Sequence, residues 1–295
     1  MSLRIATRRS ALALAQARLV AEALGGGELV EVTTAGDRGQ AGGDKSRWVA
    51  ALEDALLEGR ADVAVHSAKD VPGELASGLR IAAVPARADA RDALCGAAAV
   101  ASLPPGAQVG TSSLRRAAQL RAAREDLEVV SLRGNVDTRL RRLAAGDFDA
   151  LLLALAGLER LGRAAEAGGA LAVDEMVPAP GQGALAVEAR EDDVAATGAV
   201  AVIDDPACHA RLRAERALTR ALDASCRTPI GAHAWFADSR MELVAFVGLP
   251  DGSAWIRDRL SGDGADPEAL GRAVAERLLA AGAGDLLRAA EAAAA

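Results

Sequence analysis

Three features of the chain predict an α/β fold in three parts. Short apolar runs end in small or polar residues, amphipathic Ala/Leu/Arg segments lie between them, and the rhythm changes late to consecutive strands. The alternation of strand and helix implies a largely parallel sheet with crossover helices, and the pattern occurs twice. The consecutive strands after residue 229 imply a small antiparallel sheet with helices on one face.

In the first unit Leu3 to Ala6 is a strand, and Ser10 is an N-cap for a helix of Ala, Leu, Gln and Arg that stops at Gly25-Gly26-Gly27. Leu29 to Thr33 is the next strand and leads into a glycine-rich loop, Gly36 to Gly43. Ser46 is placed to cap a helix running to Gly59. The run Ala61 to Asp70 reads as a short buried strand that delivers Ser67, Lys69 and Asp70 at its carboxyl end, and Leu79 to Val84 is a further strand. Pro85 and the polar stretch Ala86 to Arg91 read as a linker. The second unit has strands at Gln108–Gly110, Leu127–Leu132 and Phe148–Leu155, with helices at Ser112–Arg124 and Asn135–Ala145. Val177-Pro178-Ala179-Pro180-Gly181 is a rigid second crossing, after which Ala184 to Glu188 forms a strand able to rejoin the first unit. A helix from Pro206 to Leu222 then leads to Cys226. Strands follow at Ile230–Phe236, Met241–Val247 and Ser253–Leu260, with a helix from about Pro267. The Ala-rich tail is expected to fray. The expected division is residues 1–86 with 183–203, residues 91–177, and residues 206–295.

Composition excludes several functions. The 295 residues are 51% hydrophobic with a net charge of -7, so nothing attracts nucleic acid or an anionic membrane in bulk, and an anion site has to be a local concentration of arginine. Aromatic residues are 2% with no Tyr, too few to stack single-stranded bases. Cys95, Cys208 and Cys226 fit neither a disulfide framework nor a CxxC site, which points to a reducing cytosol. His66, His209 and His233 share no ligand spacing, so no protein-held metal is expected. There is no signal-peptide core and no bilayer-spanning stretch.

Lys45 and Lys69 are the only lysines among 34 basic residues. Arginine is a permanently charged fork and lysine a compact charge, so the two retained lysines mark positions that call for an ammonium group, or are what an arginine-biased composition left behind. Gly110-Thr111-Ser112-Ser113-Leu114-Arg115-Arg116 ends a strand and opens a helix, offering N–H groups and hydroxyls with two guanidinium groups one turn in. Leu132-Arg133-Gly134-Asn135-Val136-Asp137-Thr138-Arg139 repeats the arrangement. Arg8 and Ser10 after the first strand, and Arg160 after the Leu155 strand, add to it. Helix amino termini disfavour cations unless an anion is held there. Arginine forks suit carboxylate as well as phosphate, and no Walker or dinucleotide glycine pattern selects a nucleotide. Asp70 is the one acid expected among these cations, where it stays ionised. It either accepts ligand N–H groups and stabilises a developing cation, or pairs structurally with Lys69. Cys226, in a small-residue loop beside Arg227, is a candidate nucleophile or attachment point, against the common case of a cysteine that only packs.

Together these segments resemble the porphobilinogen deaminase (hydroxymethylbilane synthase) family over nearly the whole chain. The resemblance is carried by Arg4-Ile5-Ala6-Thr7-Arg8, by Val65-His66-Ser67-Ala68-Lys69-Asp70-Val71-Pro72 and by the two arginine turns. Ala156-Gly157-Leu158-Glu159-Arg160-Leu161-Gly162, Gly181-Gln182-Gly183-Ala184, and Glu215-Arg216 leading to Cys226-Arg227-Thr228-Pro229-Ile230-Gly231 complete it. It implies two doubly wound domains like those of periplasmic binding proteins and a third α+β domain bearing Cys226. It implies a dipyrromethane cofactor held on Cys226 by a thioether, on which four porphobilinogen molecules are deaminated and joined head to tail before release as hydroxymethylbilane. Asp70 would lie beneath the pyrrole N–H groups and stabilise an azafulvene cation. Arg8, Ser10, Lys45, Ser67, Lys69, Arg115, Arg116, Arg133, Arg139 and Arg160 match the family's carboxylate binders, and Thr111, Ser112, Ser113 and Gln182 join them as expected binding residues. A cytoplasmic monomer without nucleic-acid or membrane partners is expected.

The chain departs from the family pattern at Ala41, where a lysine is frequent, at Trp48 in place of Phe and at Ala224 in place of Gly, and Asp44 and Asp137 are unexpected acids. The alternative from another class is a bilobal module that binds a small carboxylate without chemistry.

Overall fold

The structure is a computed structural model and describes residues 2–33, 46–224 and 228–294. Two five-stranded sheets share one topology. In the first, β1 (Arg4–Arg8), β2 (Glu28–Val32), β3 (Val63–Ser67) and β4 (Leu79–Ala83) are joined by β10 (Leu185–Arg190) in the order β2-β1-β3-β10-β4. In the second, β5 (Asp92–Cys95), β6 (Gln108–Gly110), β7 (Glu128–Val130), β8 (Ala150–Ala154) and β9 (Gly169–Ala170) run in the order β7-β6-β8-β5-β9. In each sheet the fourth strand is antiparallel to both neighbours. That strand comes from a crossing segment: β5 as the chain leaves the first sheet, β10 as it returns. Each crossing is therefore built into a sheet rather than hanging between two.

Helices cover both faces of each sheet, as successive side chains on a strand dictate. Ile5, Val63 and Val65 face α1 (Ala11–Ala23) and α6 (Val194–Val200), whereas Ala6 and Ala64 face α2 (Ser46–Leu57). In the second sheet Val109 and Leu152 face α3 (Leu114–Ala123), while Leu151 and Leu153 face α4 (Val136–Ala144) and α5 (Leu155–Arg160). Ser10, Ser113 and Asn135 cap α1, α3 and α4 with their side-chain oxygens.

The third part follows α7 (Pro206–Ala221). Strands β11 (Ile230–Ala237), β12 (Arg240–Gly248) and β13 (Trp255–Asp263) form an antiparallel meander. Its inner face packs on α7, α8 (Pro267–Ala280) and α9 (Ala283–Ala294). Its other face puts Val244 and Phe246 against Ala118 of α3 and Val177 of the second crossing.

Two expectations are corrected and the strand β5 is new. The strand through Asp70 stops at Ser67, and Ala68–Asp70 is a 3-10 turn. The strand β5 follows the linker directly; its four residues are all buried, so no alternation marks it in the sequence. The tail is helical through Ala294: Ala283 and Leu287 are buried in the third core, and Ala290 on the same helical face is buried as well.

Candidate active site

The first half of the site lies at the carboxyl ends of β1 and β3. Arg8 ends β1, Ser10 opens α1, and Ser67 ends β3 just before the 3-10 turn that carries Lys69 and Asp70. Arg8, Ser10, Gln16, Trp48, Ser67 and Asp70 are among the residues lining a cavity of about 80 Å³. The Arg8 guanidinium lies over the Trp48 ring, 4.1 Å from its centre, so the Trp that departs from the family pattern supports an expected binder. The Ser67 hydroxyl and the Gln16 amide hydrogen-bond at 2.8 and 3.1 Å. The sequence reading missed Gln16, since a polar residue within a helical Ala/Leu run reads as surface.

The second half begins at the β6–α3 and β7–α4 turns. The hydroxyls of the first turn have local partners. Ser112 donates to the Leu132 carbonyl, Thr111 accepts from the Ser113 N–H at 3.2 Å, and Ser113 accepts from the Arg116 N–H at 3.4 Å. They hold the turn together, and that is a narrower role than the ligand donors expected. Arg133 of the second turn is exposed. Asp137, unexpected in sequence, pairs with Arg163 at 2.8 Å.

Asp70 is not the only acid among the cations. Asp92 at the start of β5 is completely buried and takes Arg115 at 2.7 Å and Arg116 at 2.7 Å. Burial by itself raises the Asp92 carboxyl, but the charges of Arg115 and Arg116 outweigh it and hold the group well below the usual carboxylate range. Arg115 also donates to the Val177 carbonyl and Arg116 to that of Leu152. The anion that these helix-start cations require is supplied by the protein itself.

Gln182 belongs to the same cluster. It is 1% exposed, and its amide nitrogen donates to the Ala90 carbonyl and to Asp92 at 2.7 and 2.8 Å. Its amide oxygen accepts from Lys69 Nζ at 3.3 Å. Gln182 therefore bridges the Asp70 turn of the first sheet to the arginine pair of the second, where the sequence reading had it contacting ligand. The bridge requires close approach at Gly181 (φ +73°), where a Cβ would stand 2.9 Å from the Lys69 amide nitrogen.

Arg139 and Arg160 are different. Among the described residues no carboxylate pairs with either, and they donate to the Gly134 and Gly183 carbonyls at 2.8 and 2.6 Å. Burial lowers both guanidinium pKa values, to about 10 for Arg160, and the nearby Arg116 charge lowers Arg139 further. Half-buried cations in this state favour an incoming anion, which is what a polycarboxylate cofactor or substrate offers.

Lys45 and Cys226 lie outside the described residues, as do Arg38, Ala41, Asp44 and Arg227. The other two thiols are described. Cys95 and Cys208 are fully buried, and burial pushes Cys95 up to about 11 and raises Cys208 as well, so neither is a nucleophile. No group of His, Cys, Asp and Glu among the described residues could hold a metal ion.

Fold and site thus define a two-unit α/β protein with cationic side chains gathered at its strand ends and a third part joined to both units. The family model for the porphobilinogen deaminase dipyromethane cofactor binding domain matches residues 3–197, and that for the porphobilinogen deaminase C-terminal domain matches residues 209–280. The chain belongs to the porphobilinogen deaminase family, transferases of tetrapyrrole biosynthesis that carry a dipyrromethane cofactor. It is 48% identical to the porphobilinogen deaminase of Thiobacillus denitrificans over 96% of each chain. It is 46% identical to that of Roseiflexus castenholzii, over 97% of this chain and 98% of the relative. Membership favours the transferase over the binding module that was the alternative.

Proposed function

We propose that this chain deaminates porphobilinogen and joins four units head to tail on a dipyrromethane held by Cys226, with Asp70 as the catalytic acid group and the strand-end cations as carboxylate holders. The observation that carries this reading is that Lys69 of the Ala68–Asp70 turn donates to Gln182 while Arg160, which among the described residues has no carboxylate partner, donates to the adjoining Gly183 carbonyl. When bound, the dipyrromethane supplies a nucleophilic pyrrole carbon. Arg8, Arg133, Arg139 and Arg160, with Lys69 and the undescribed Lys45, take acetate and propionate groups. Ser10 and Ser67 orient the first-sheet side of the cleft. Asp70 accepts pyrrole N–H bonds and offsets the positive charge that develops as the carbon–nitrogen bond breaks and ammonia leaves with the electron pair. Arg115, Arg116 and Gln182, through Asp92, set the second-sheet side against Lys69, and Thr111, Ser112 and Ser113 keep the β6–α3 turn in shape.

The two sheets and the meander support a division into domains at 1–86 with 183–203, 91–177 and 206–295. A net charge of -7 and scarce aromatics oppose nucleic-acid binding. No described helix is long and apolar enough to cross a membrane. The buried free thiols of Cys95 and Cys208 fit a reducing cytoplasm, and a monomeric state is part of the proposal.

Intact mass tests the attachment. The purified protein should exceed its sequence mass by one dipyrromethane, and Cys226→Ser should weigh what its sequence predicts. The same added mass on the Ser variant, or an adduct mapped to Cys95 or Cys208, would refute the assignment.

A further inference from the structure

Arg216 lies on α7, in the third part of the molecule, yet its guanidinium reaches the segment that follows Asp70. It donates to the Gly73 carbonyl at 2.9 Å and to the Val71 carbonyl at 3.4 Å, and it is 8% exposed. On the other side of this segment, Glu53 of α2 accepts the Ala76 N–H at 3.1 Å and is itself buried. Two buried ionisable side chains from separate parts of the molecule thus fix three backbone groups within six residues of Asp70. Close by, Glu188 of β10 is buried against His66 of β3 at 2.9 Å, and its charge favours the charged form of Arg216.

Packing alone does not account for the arrangement. A cleft of about 440 Å³ opens between residues 73–81 and α7, and Arg216 lines it together with Arg213 and Arg220. Burial pushes that guanidinium down to about 10, so holding two neutral carbonyls with a charge is costly where an apolar side chain would fill space more cheaply.

We infer that Arg216 is a positioning residue for the reaction: it fixes the segment that follows Asp70 to helix α7 of the third part, so that the acid keeps one position in the site. The inference rests on the role proposed above for Asp70. Displacement of a reacting group by about 1 Å costs on the order of a hundredfold in rate, so a tether between these two parts acts on turnover more than on capture of substrate.

The test uses wild type, Arg216→Met, Arg216→Lys and the control Arg213→Met, all as adduct-bearing protein quantified by intact mass. Arg213 lies on the same helix, lines the same cleft and directs its guanidinium to Glu268 within the third part, so its loss perturbs α7 and the cleft without removing the bonds to the Val71 and Gly73 carbonyls. Ammonia release per adduct-bearing molecule is measured against porphobilinogen concentration. In R216M kcat should fall at least tenfold with KM within about threefold of wild type. In R216K, whose ammonium cannot span both carbonyls, kcat should fall to an intermediate value, and R213M should stay within twofold. Wild-type kcat in R216M, or an equal loss in R213M, overturns the inference. If R216M does not accumulate, R216K decides, and wild-type kcat there overturns it. A wild-type protein with neither adduct nor ammonia release refutes the proposed function itself, whatever the variants do.

Discussion

Asp92 decides what the neighbouring arginines are able to do. Because Arg115 and Arg116 share its carboxylate, truncating either leaves a buried charge partly uncompensated, whereas truncating exposed Arg133 does not. Arg116→Leu should therefore lower both melting temperature and cofactor content, and Arg133→Leu should lower cofactor content or raise KM with the melting temperature unchanged. Equal thermal loss in the two would show that the Asp92 pair does not distinguish them. Asp70→Asn keeps size and one acceptor but removes charge. Turnover should fall by two or more decades, as the loss of a well-placed electrostatic partner costs about 2.7 to 4 kcal/mol in the transition state. Single-turnover ammonia release by the adduct-bearing Asn variant is the measurement, and near wild-type release would reduce Asp70 to a structural partner of Lys69.

Elements carry the site by where they end. β3 stops at Ser67, and the tight turn after it sets Asp70 at the wall of the first-sheet cavity and Lys69 against Gln182 instead of continuing them alternately along a strand. β11 carries a different consequence. His233 stacks on Trp235 with ring centres 5.8 Å apart and lies 3.7 Å from Glu215. Burial pushes its pKa down to about 4, with the Glu215 charge opposing. The folded state thus binds fewer protons on His233 than the unfolded state between about pH 4 and the ordinary histidine value of about 6.5. Stability should rise with pH across that window and be lost as pH falls through it. His233→Gln should flatten the dependence of melting temperature on pH between 4 and 6.5, and an unchanged slope would assign the acid lability to other groups.

At the scale of the whole molecule, Glu215 is where three segments meet. Fully buried on α7, it accepts two bonds from Arg87 of the first crossing at 2.7 and 3.1 Å. It also takes the Gly181 N–H of the second crossing at 2.6 Å and the Ala234 N–H of β11 at 2.8 Å. Arg87 extends the junction by donating to the Gln182 carbonyl at 2.8 Å. One carboxylate thus ties both crossings to the third part, and Asp92 with Gln182 ties the two sheets to each other. Glu215→Ala leaves Arg87 buried without its partner, at a cost of about 3 to 5 kcal/mol. Limited proteolysis should then cut residues 84–91 faster than in wild type, with a clear fall in melting temperature. Unaltered cleavage and melting would show that the junction is held by apolar packing.

The sequence determined what is local. Strand and helix periodicity gave most elements in order, Ser10 and the arginine turns were legible because caps and turns depend on neighbours within a few residues, and Val65 to Asp70 marked the site because its chemistry is contiguous. The Cys226 assignment also came from sequence alone. Tertiary structure decided what depends on partners far apart in the chain. Asp92 carries no local signal until β5 brings it between Arg115 and Arg116, and Gln182 reads as a ligand contact until its two ends meet Asp92 and Lys69. Arg216 reads as one arginine of many until α7 sets it against the carbonyls beyond Asp70. The physical reason is the same in each case: a buried charge is held by whatever opposite charge or dipole the fold places beside it, and the local pattern specifies the charge without specifying the partner.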